Sequence, residues 1–155
     1  MSFVFGIMQG RLLPKYKQRF QAHPLNSWKK EFELASNFGF KSIEFILDYE
    51  DFGLNPLMTK KGINDIRQIS NQNEVFVKSI CADFFMESPI FLDDKESFLK
   101  NLDVLQTLTE NAADIGVTDI VIPMVDNSSI LKSKNKMDQS IYFFKKFLKN
   151  FKKNI

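Results

Sequence analysis

The sequence predicts an α/β fold built on a parallel sheet. Three observations carry that prediction. Short apolar runs alternate with segments whose apolar residues recur at helical spacing, and the alternation repeats four times. Each run is separated from the next by a helix-length crossover, which parallel strands require and antiparallel hairpins do not. The polar residues that break the apolar pattern gather where the runs end, the edge of a parallel sheet that carries sites in α/β proteins.

The first strand is expected near 3–9, in "FVFGIM" and the Gln9-Gly10 that follows. A polar loop with Pro14 and Pro24 leads to Ser27, a candidate cap for a helix opening at Trp28. Trp28, Phe32, Ala35 and Phe38 give that helix its apolar face, and Gly39 stops it. The second strand, "KSIEFILD", is expected at 42–48. It carries a carboxylate, Glu44, in the middle of an apolar run. A glutamate is rarely buried without a partner, so Glu44 either pairs, faces water, or faces a polar ligand. Thr59 is placed to cap a second helix with Ile63, Ile66 and Ile69 on one side. "VFVKSICADFF" supplies the third strand, near 75–83. Pro89 and Asp93-Asp94 introduce a third helix with the stripe Phe98, Leu102, Leu105, Leu108, Ala112 and Ile115, ended by Gly116. The fourth strand is expected at 119–126, and a last helix with Ile141, Phe144, Leu148 and Phe151 on one side. That helix is rich in lysine and could lie on a membrane surface. The simpler expectation is an outer helix with aromatics inward and lysines in water.

The 155 residues form one domain, 1–155, large enough for a core. Hydrophobic residues make up 44% and charged residues 26%, with 17 phenylalanines. No apolar run approaches the length of a membrane helix, and the N-terminus lacks the pattern of a signal peptide. One cysteine, Cys81, forms no internal disulfide, and a cytoplasmic location is expected. Residues 131–155 hold 8 lysines against one aspartate, and the remainder holds 13 basic against 18 acidic residues. A nucleic-acid binder with a generally basic surface would not divide its charge this way. One histidine, His23, rules out a zinc site of several histidines and reads as a loop residue. There is no G-x-G-x-x-G and no phosphate-loop lysine motif. The pattern fits both a small open sheet with helices on both faces and half of an eight-fold barrel.

The residues at the strand ends are the site candidates: Gln9 and Arg11 after the first, Glu44 and Asp48 on the second, Cys81 and Asp83 on the third, Asp126 after the fourth. Alternation sets Glu44 and Asp48 on one face, and Ser79, Cys81 and Asp83 likewise. Glu44, Asp83 and Asp126 are therefore expected to look into one concavity. Each has a plainer reading: an ion pair for Glu44, loop caps for the aspartates, a small buried apolar group for Cys81.

"GIMQGRLLP" (6–14), "RFQAHP" (19–24), "SIEFILD" (42–48), "SICADFFM" (79–86) and "IVIPMVDNSS" (120–129) resemble the sugar phosphate isomerase/epimerase family with a xylose-isomerase-like TIM barrel. The resemblance implies a (β/α)4 half of such a barrel, which needs about 250 residues when complete. It implies proton transfer next to a sugar carbonyl. The substrate would be a sugar or sugar phosphate, met by Gln9, Arg11, Glu44, Cys81, Asp83 and Asp126. The divalent metal of the complete family barrel would be held by later strands, so no cofactor and no metal ligand falls on this chain. The histidine-rich endonuclease branch of that superfamily is disfavoured by the single histidine. The alternative to an isomerase half is a non-catalytic half-barrel that pairs with itself or with a separately encoded second half.

Overall fold

A computed structural model describes residues 4–90, 95–131 and 133–151, with the backbone alone for Asn127, Asn150 and Phe151. Four strands, β1 (Gly6–Met8), β2 (Ser42–Ile46), β3 (Phe76–Cys81) and β4 (Asp119–Val121), form one sheet in the order β1-β2-β3-β4. All three pairings are parallel. The helices are α1 (Trp28–Asn37), α2 (Lys60–Asn73), α3 (Phe84–Glu87), α4 (Lys95–Asp114) and α5 (Lys134–Phe151). Sequential order excludes the open doubly wound arrangement, in which the first strand is internal. Right-handed crossovers between strands in sequential order put the crossover helices on one face. That is the arrangement of half an α/β barrel.

The residues explain the layers. On β2 and β3 and in the residue just after each, Ile43, Phe45, Leu47, Val77, Ile80 and Ala82 are buried in one cluster with Trp28, Phe32 and Ala35 of α1, Ile63 and Ile66 of α2, and Val104, Leu105 and Leu108 of α4. The rings of Trp28 and Phe45 meet edge to face at 5.8 Å. Burying the five larger of these six side chains, all but Ala82, is worth roughly 1.5–3 kcal/mol each. The row on the other face is Ser42, Glu44 and Ile46, paired with Phe76, Ser79 and Cys81. Ile46 and Cys81 are buried outside that cluster, while Val121 and Phe76 stay exposed.

Several expectations shift. The register breaks between Ile43 and Glu44, so Lys78 bulges from β3. The bulge keeps Ser79 and Cys81 on the open face with Glu44. β3 ends at Cys81, and Phe84–Glu87 turns into α3, with the Phe84 N–H bonded to Leu47 O at 2.7 Å. β4 stops at Val121, two residues before Pro123, which has no N–H for a ladder. Ser27 stands at the α1 N-cap but its hydroxyl caps nothing, whereas Thr59 accepts from the Gly62 N–H at 3.0 Å. Asn101 and Asn111 sit on the inner face of α4. Their amides hold Ser88 O, Pro89 O and Leu57 O, which tie α4 to the loops beneath it. On α5 the inward residues are Phe143, Phe144 and Phe147, with Ile141 and Leu148 exposed; the Phe151 side chain lies outside the described residues. Phe38, the α1 C-cap, is exposed rather than packed. The Asp93-Asp94 start of α4 also lies outside the described residues. No helix among the described residues is long and apolar enough to cross a membrane.

Candidate functional site

The site begins where β1 ends. Gly10 adopts φ +86, and a Cβ there would lie 2.1 Å from Phe20 O. Only glycine lets the loop 20–22 pass this closely over the strand end. The loop's shape is held from α1. Glu31, fully buried, accepts the backbone N–H groups of Gly10 at 2.7 Å and Leu12 at 3.2 Å, while the Arg11 N–H between them turns to Met8 O at 3.3 Å. Burial pushes the Glu31 carboxyl above its ordinary range, against the loop's backbone N–H groups, which lower it.

Gln9 is buried and bridges three segments. Its Oε1 accepts the Ile46 N–H at 3.0 Å and lies 3.1 Å from His23 Nδ1. An oxygen that faces a backbone N–H is an acceptor, so His23 Nδ1 must carry the ring proton and Nε2 is a bare acceptor. Burial lowers the His23 pKa to about 3, so the imidazole is neutral. Its ring lies against Phe45 and Trp28. The His23 backbone N–H donates to Asp48 Oδ2 at 2.7 Å, and Asp48 Oδ1 lies 3.3 Å from Arg19 Nη1. Burial raises the Asp48 carboxyl above its usual range; the His23 N–H and Arg19 oppose it, while Asp83 and Glu50 add repulsion.

Over this end lies a hairpin. Tyr16 and Arg19 exchange N–H···O bonds of 2.9 Å in both directions, across Lys17 at φ 48 and Gln18 at φ 64. Two left-handed central residues make the turn that suits a two-residue hairpin, a position usually taken by Asn or Gly. Holding Lys and Gln there costs on the order of 1 kcal/mol each. The hairpin is tied down by side chains. Lys17 Nζ reaches Glu50 at 2.7 Å and Asp51 at 3.1 Å, Arg19 reaches Asp48, and Gln21 Nε2 donates to Asp83 Oδ2 at 3.3 Å. The Lys17 ion pairs are exposed and individually weak.

Beneath the hairpin, at the C-terminal ends of β2 and β3, is a cavity of about 400 Å³ lined by Lys17, Arg19, Asp48, Tyr49, Glu50, Asp83, Met86 and Glu87. Asp83 is held there by neutral donors, Gln21 and the Cys81 thiol, whose Sγ lies 3.1 Å from Asp83 Oδ1. Burial and the neighbouring Asp83 push the Cys81 thiol up to about 12. It is a donor to Asp83 and not a nucleophile at neutral pH.

Of the candidates read from the sequence, Asp48 and Asp83 line this cavity. Gln9 and Cys81 support it from within the structure. Glu44 is half-buried on the open face, where its Oε2 accepts the Ser79 hydroxyl at 2.8 Å; this is its partner in the apolar run. Arg11 is exposed, and Asp126, at φ 51, opens an exposed turn after β4. Glu44 and Asp126 therefore do not join Asp83 at the cavity. Sequence reasoning passed over Lys17, Arg19, Gln21, Glu31 and Glu87. His23 lies in its loop as expected, but buried and bonded to Gln9. Among the described residues no three His, Cys, Asp or Glu side chains are grouped to hold a metal ion. Comparison of the sequence with protein-family models and with characterised proteins finds no match, so the cavity and its carboxylates are what define this site.

Proposed function

We propose that the chain is the substrate-side half of a sugar or sugar phosphate isomerase or epimerase with a xylose-isomerase-like barrel, and that Asp83 moves the proton next to the sugar carbonyl. The observation that carries this reading is the polar cavity at the strand C-termini. One of its carboxylates, Asp83, is held by two neutral donors, Gln21 and Cys81, in a cavity that also holds two cations, Lys17 and Arg19. A carboxylate in hydrogen-bond reach of a carbon acid does general-base work, and a guanidinium or ammonium stabilises the oxyanion that develops. Arg11, exposed on the same loop, is available to an anionic substituent such as phosphate. The divalent metal implied by the resemblance would take its ligands from outside this chain. The test is solvent exchange in D₂O: with a panel of aldoses, ketoses and their phosphates, deuterium should enter the carbon next to the carbonyl, and Asp83→Asn should slow that entry by about 10²-fold or more. Binding without exchange would leave a sugar-binding module; neither binding nor exchange would refute the reading.

A second reading has its own observation. The outer edges of β1 and β4 have no strand partner among the described residues, and Val4, Phe5 and Val121 are exposed there. Such edges favour pairing with a second copy or a complementary half. Sedimentation over a wide concentration range separates a lone monomer from a pairing half-barrel.

A further inference from the structure

Behind the mouth cavity lies a second, smaller recess of about 10 Å³, lined by Tyr16, Arg19, His23, Asp48, Asn55 and hairpin neighbours, and sharing the walls Lys17, Arg19, Asp48 and Glu50 with the cavity. That volume is what one water-sized sphere occupies. Two of its wall residues, His23 and Asp48, are more than nine-tenths buried. Each carries one buried polar atom without a hydrogen-bond partner, His23 Nε2 and Asp48 Oδ1. Both are acceptors. Nε2 is a lone pair because Gln9 Oε1 fixes the proton on Nδ1, and Oδ1 belongs to a carboxylate whose Arg19 neighbour at 3.3 Å lacks hydrogen-bond geometry. An unmet buried acceptor costs about 1–3 kcal/mol. Two unmet acceptors on one recess the size of a single oxygen ask for a group with protons to give and no charge to bury.

We propose that this recess seats one water that donates one proton to His23 Nε2 and the other to Asp48 Oδ1. In the complex a hydroxyl of a polyol ligand takes the water's place and gives its single proton to one of the two acceptors. An ammonium would meet the carboxylate but would have to be desolvated beside Arg19, and a carboxylate or phosphate would repel Asp48. The recess thus selects a neutral donor, and it adds a hydroxyl-reading subsite to the mouth cavity. The ligand arm rests on the sugar reading above; the water arm does not.

The chain has one histidine, so its imidazole can be followed without assignment ambiguity. The experiment is long-range ¹H–¹⁵N correlation of the His23 ring in the full chain at neutral pH, with water-to-ring cross-relaxation, first alone and then with xylitol. The expected result is the Nδ1–H tautomer, an Nε2 shift displaced from the free lone-pair value, and a cross-peak from a bound water. Asp48→Asn should shift Nε2 and weaken that cross-peak while the tautomer, set by Gln9, stays. An Nε2–H tautomer, or a free lone-pair shift with no water cross-peak, overturns the proposal in the unsubstituted protein, whatever the variant does. If xylitol binds and the water peak disappears, the ligand hydroxyl takes the seat. If xylitol binds and the peak persists, the ligand arm is overturned. If xylitol does not bind while the water peak is present, the seat belongs to water alone and the sugar reading of the cavity is what fails.

Discussion

Acid should weaken this fold through His23. His23 is neutral in the fold, with its pKa lowered to about 3, against about 6.5 in an unfolded chain. Between those two values the unfolded state binds the extra proton, so stability is complete above the unfolded pKa and falls as the pH drops toward the folded one. The slope approaches about 1.4 kcal/mol per pH unit. Relative to pH 7.5, the loss attributable to His23 is about 1.4 kcal/mol at pH 5.5 and about 2.6 kcal/mol at pH 4.5. Glu31 and Asp48 act in the opposite sense. Their carboxyls are raised by burial, so protonation near and below their folded values favours the fold. The effect of His23 is therefore read as a difference. Urea unfolding of the protein and of His23→Gln is followed between pH 7.5 and 4.5, and the stability gap between them should shrink or reverse on acidification by the amounts above. A gap that stays constant between pH 7.5 and 5.5, or an NMR titration of His23 centred near 6.5, would refute a buried neutral imidazole bound to Gln9.

The remaining predictions concern the same end of the sheet and its supports. Gln9→Met leaves the Ile46 N–H and the His23 Nδ1–H without acceptors while removing the unpartnered Gln9 Nε2; the net loss should be about 2–3 kcal/mol in urea unfolding, and a change below about 0.5 kcal/mol would contradict the bridge. Gly62→Ala puts a Cβ 2.2 Å from Pro56 O and 2.4 Å from Pro56 Cα, so it should cost more than about 2 kcal/mol. Gly39→Ala, at φ +81 with nothing near, should cost only about 1 kcal/mol; equal costs would mean α2 does not rest on Pro56. With its thiol pushed up to about 12, Cys81 should resist a thiol reagent at pH 8 in the native protein and react promptly in urea; rapid native labelling would mean the Cys81–Asp83 contact is open.

The alternation of strands and helices was legible because it depends on side-chain period alone, and all four strands fall within their expected ranges. Their ends were less legible. Ala82, Phe84 and Phe85 extend the apolar character of β3 around Asp83, yet the backbone turns into α3 because Phe84 and Phe85 pack and the Phe84 N–H finds Leu47 O. Nothing in local pattern distinguishes a buried helix turn from a buried strand end. The α5 face was misjudged by one position, since five aromatics in ten residues, Tyr142, Phe143, Phe144, Phe147 and Phe151, admit more than one stripe. At the site, Asp83 and Gln9 were legible as polar residues at strand ends. Glu31 carried the same signal as Glu44: it falls at i+3 from Trp28, inside an apolar stripe. Arg19 and Lys17 were not legible, because the turn that delivers them places Lys and Gln in left-handed backbone where sequence would ask for Asn or Gly.

Glu31 has a consequence for how the mouth could change. Its carboxylate clasps two amides of the β1–α1 loop, those of Gly10 and Leu12, so the path of that loop is recorded in a helix and not in the loop's own side chains. Arg11, which points no polar anchor into the core and is exposed, can be exchanged without redrawing the path. The same clasp makes the loop's opening a cooperative event: the Gly10 and Leu12 amides cannot be released unless α1 itself lets go of them. Their hydrogen exchange should therefore run at the pace of the helix, an unusually slow clock for a loop at the rim of a cavity.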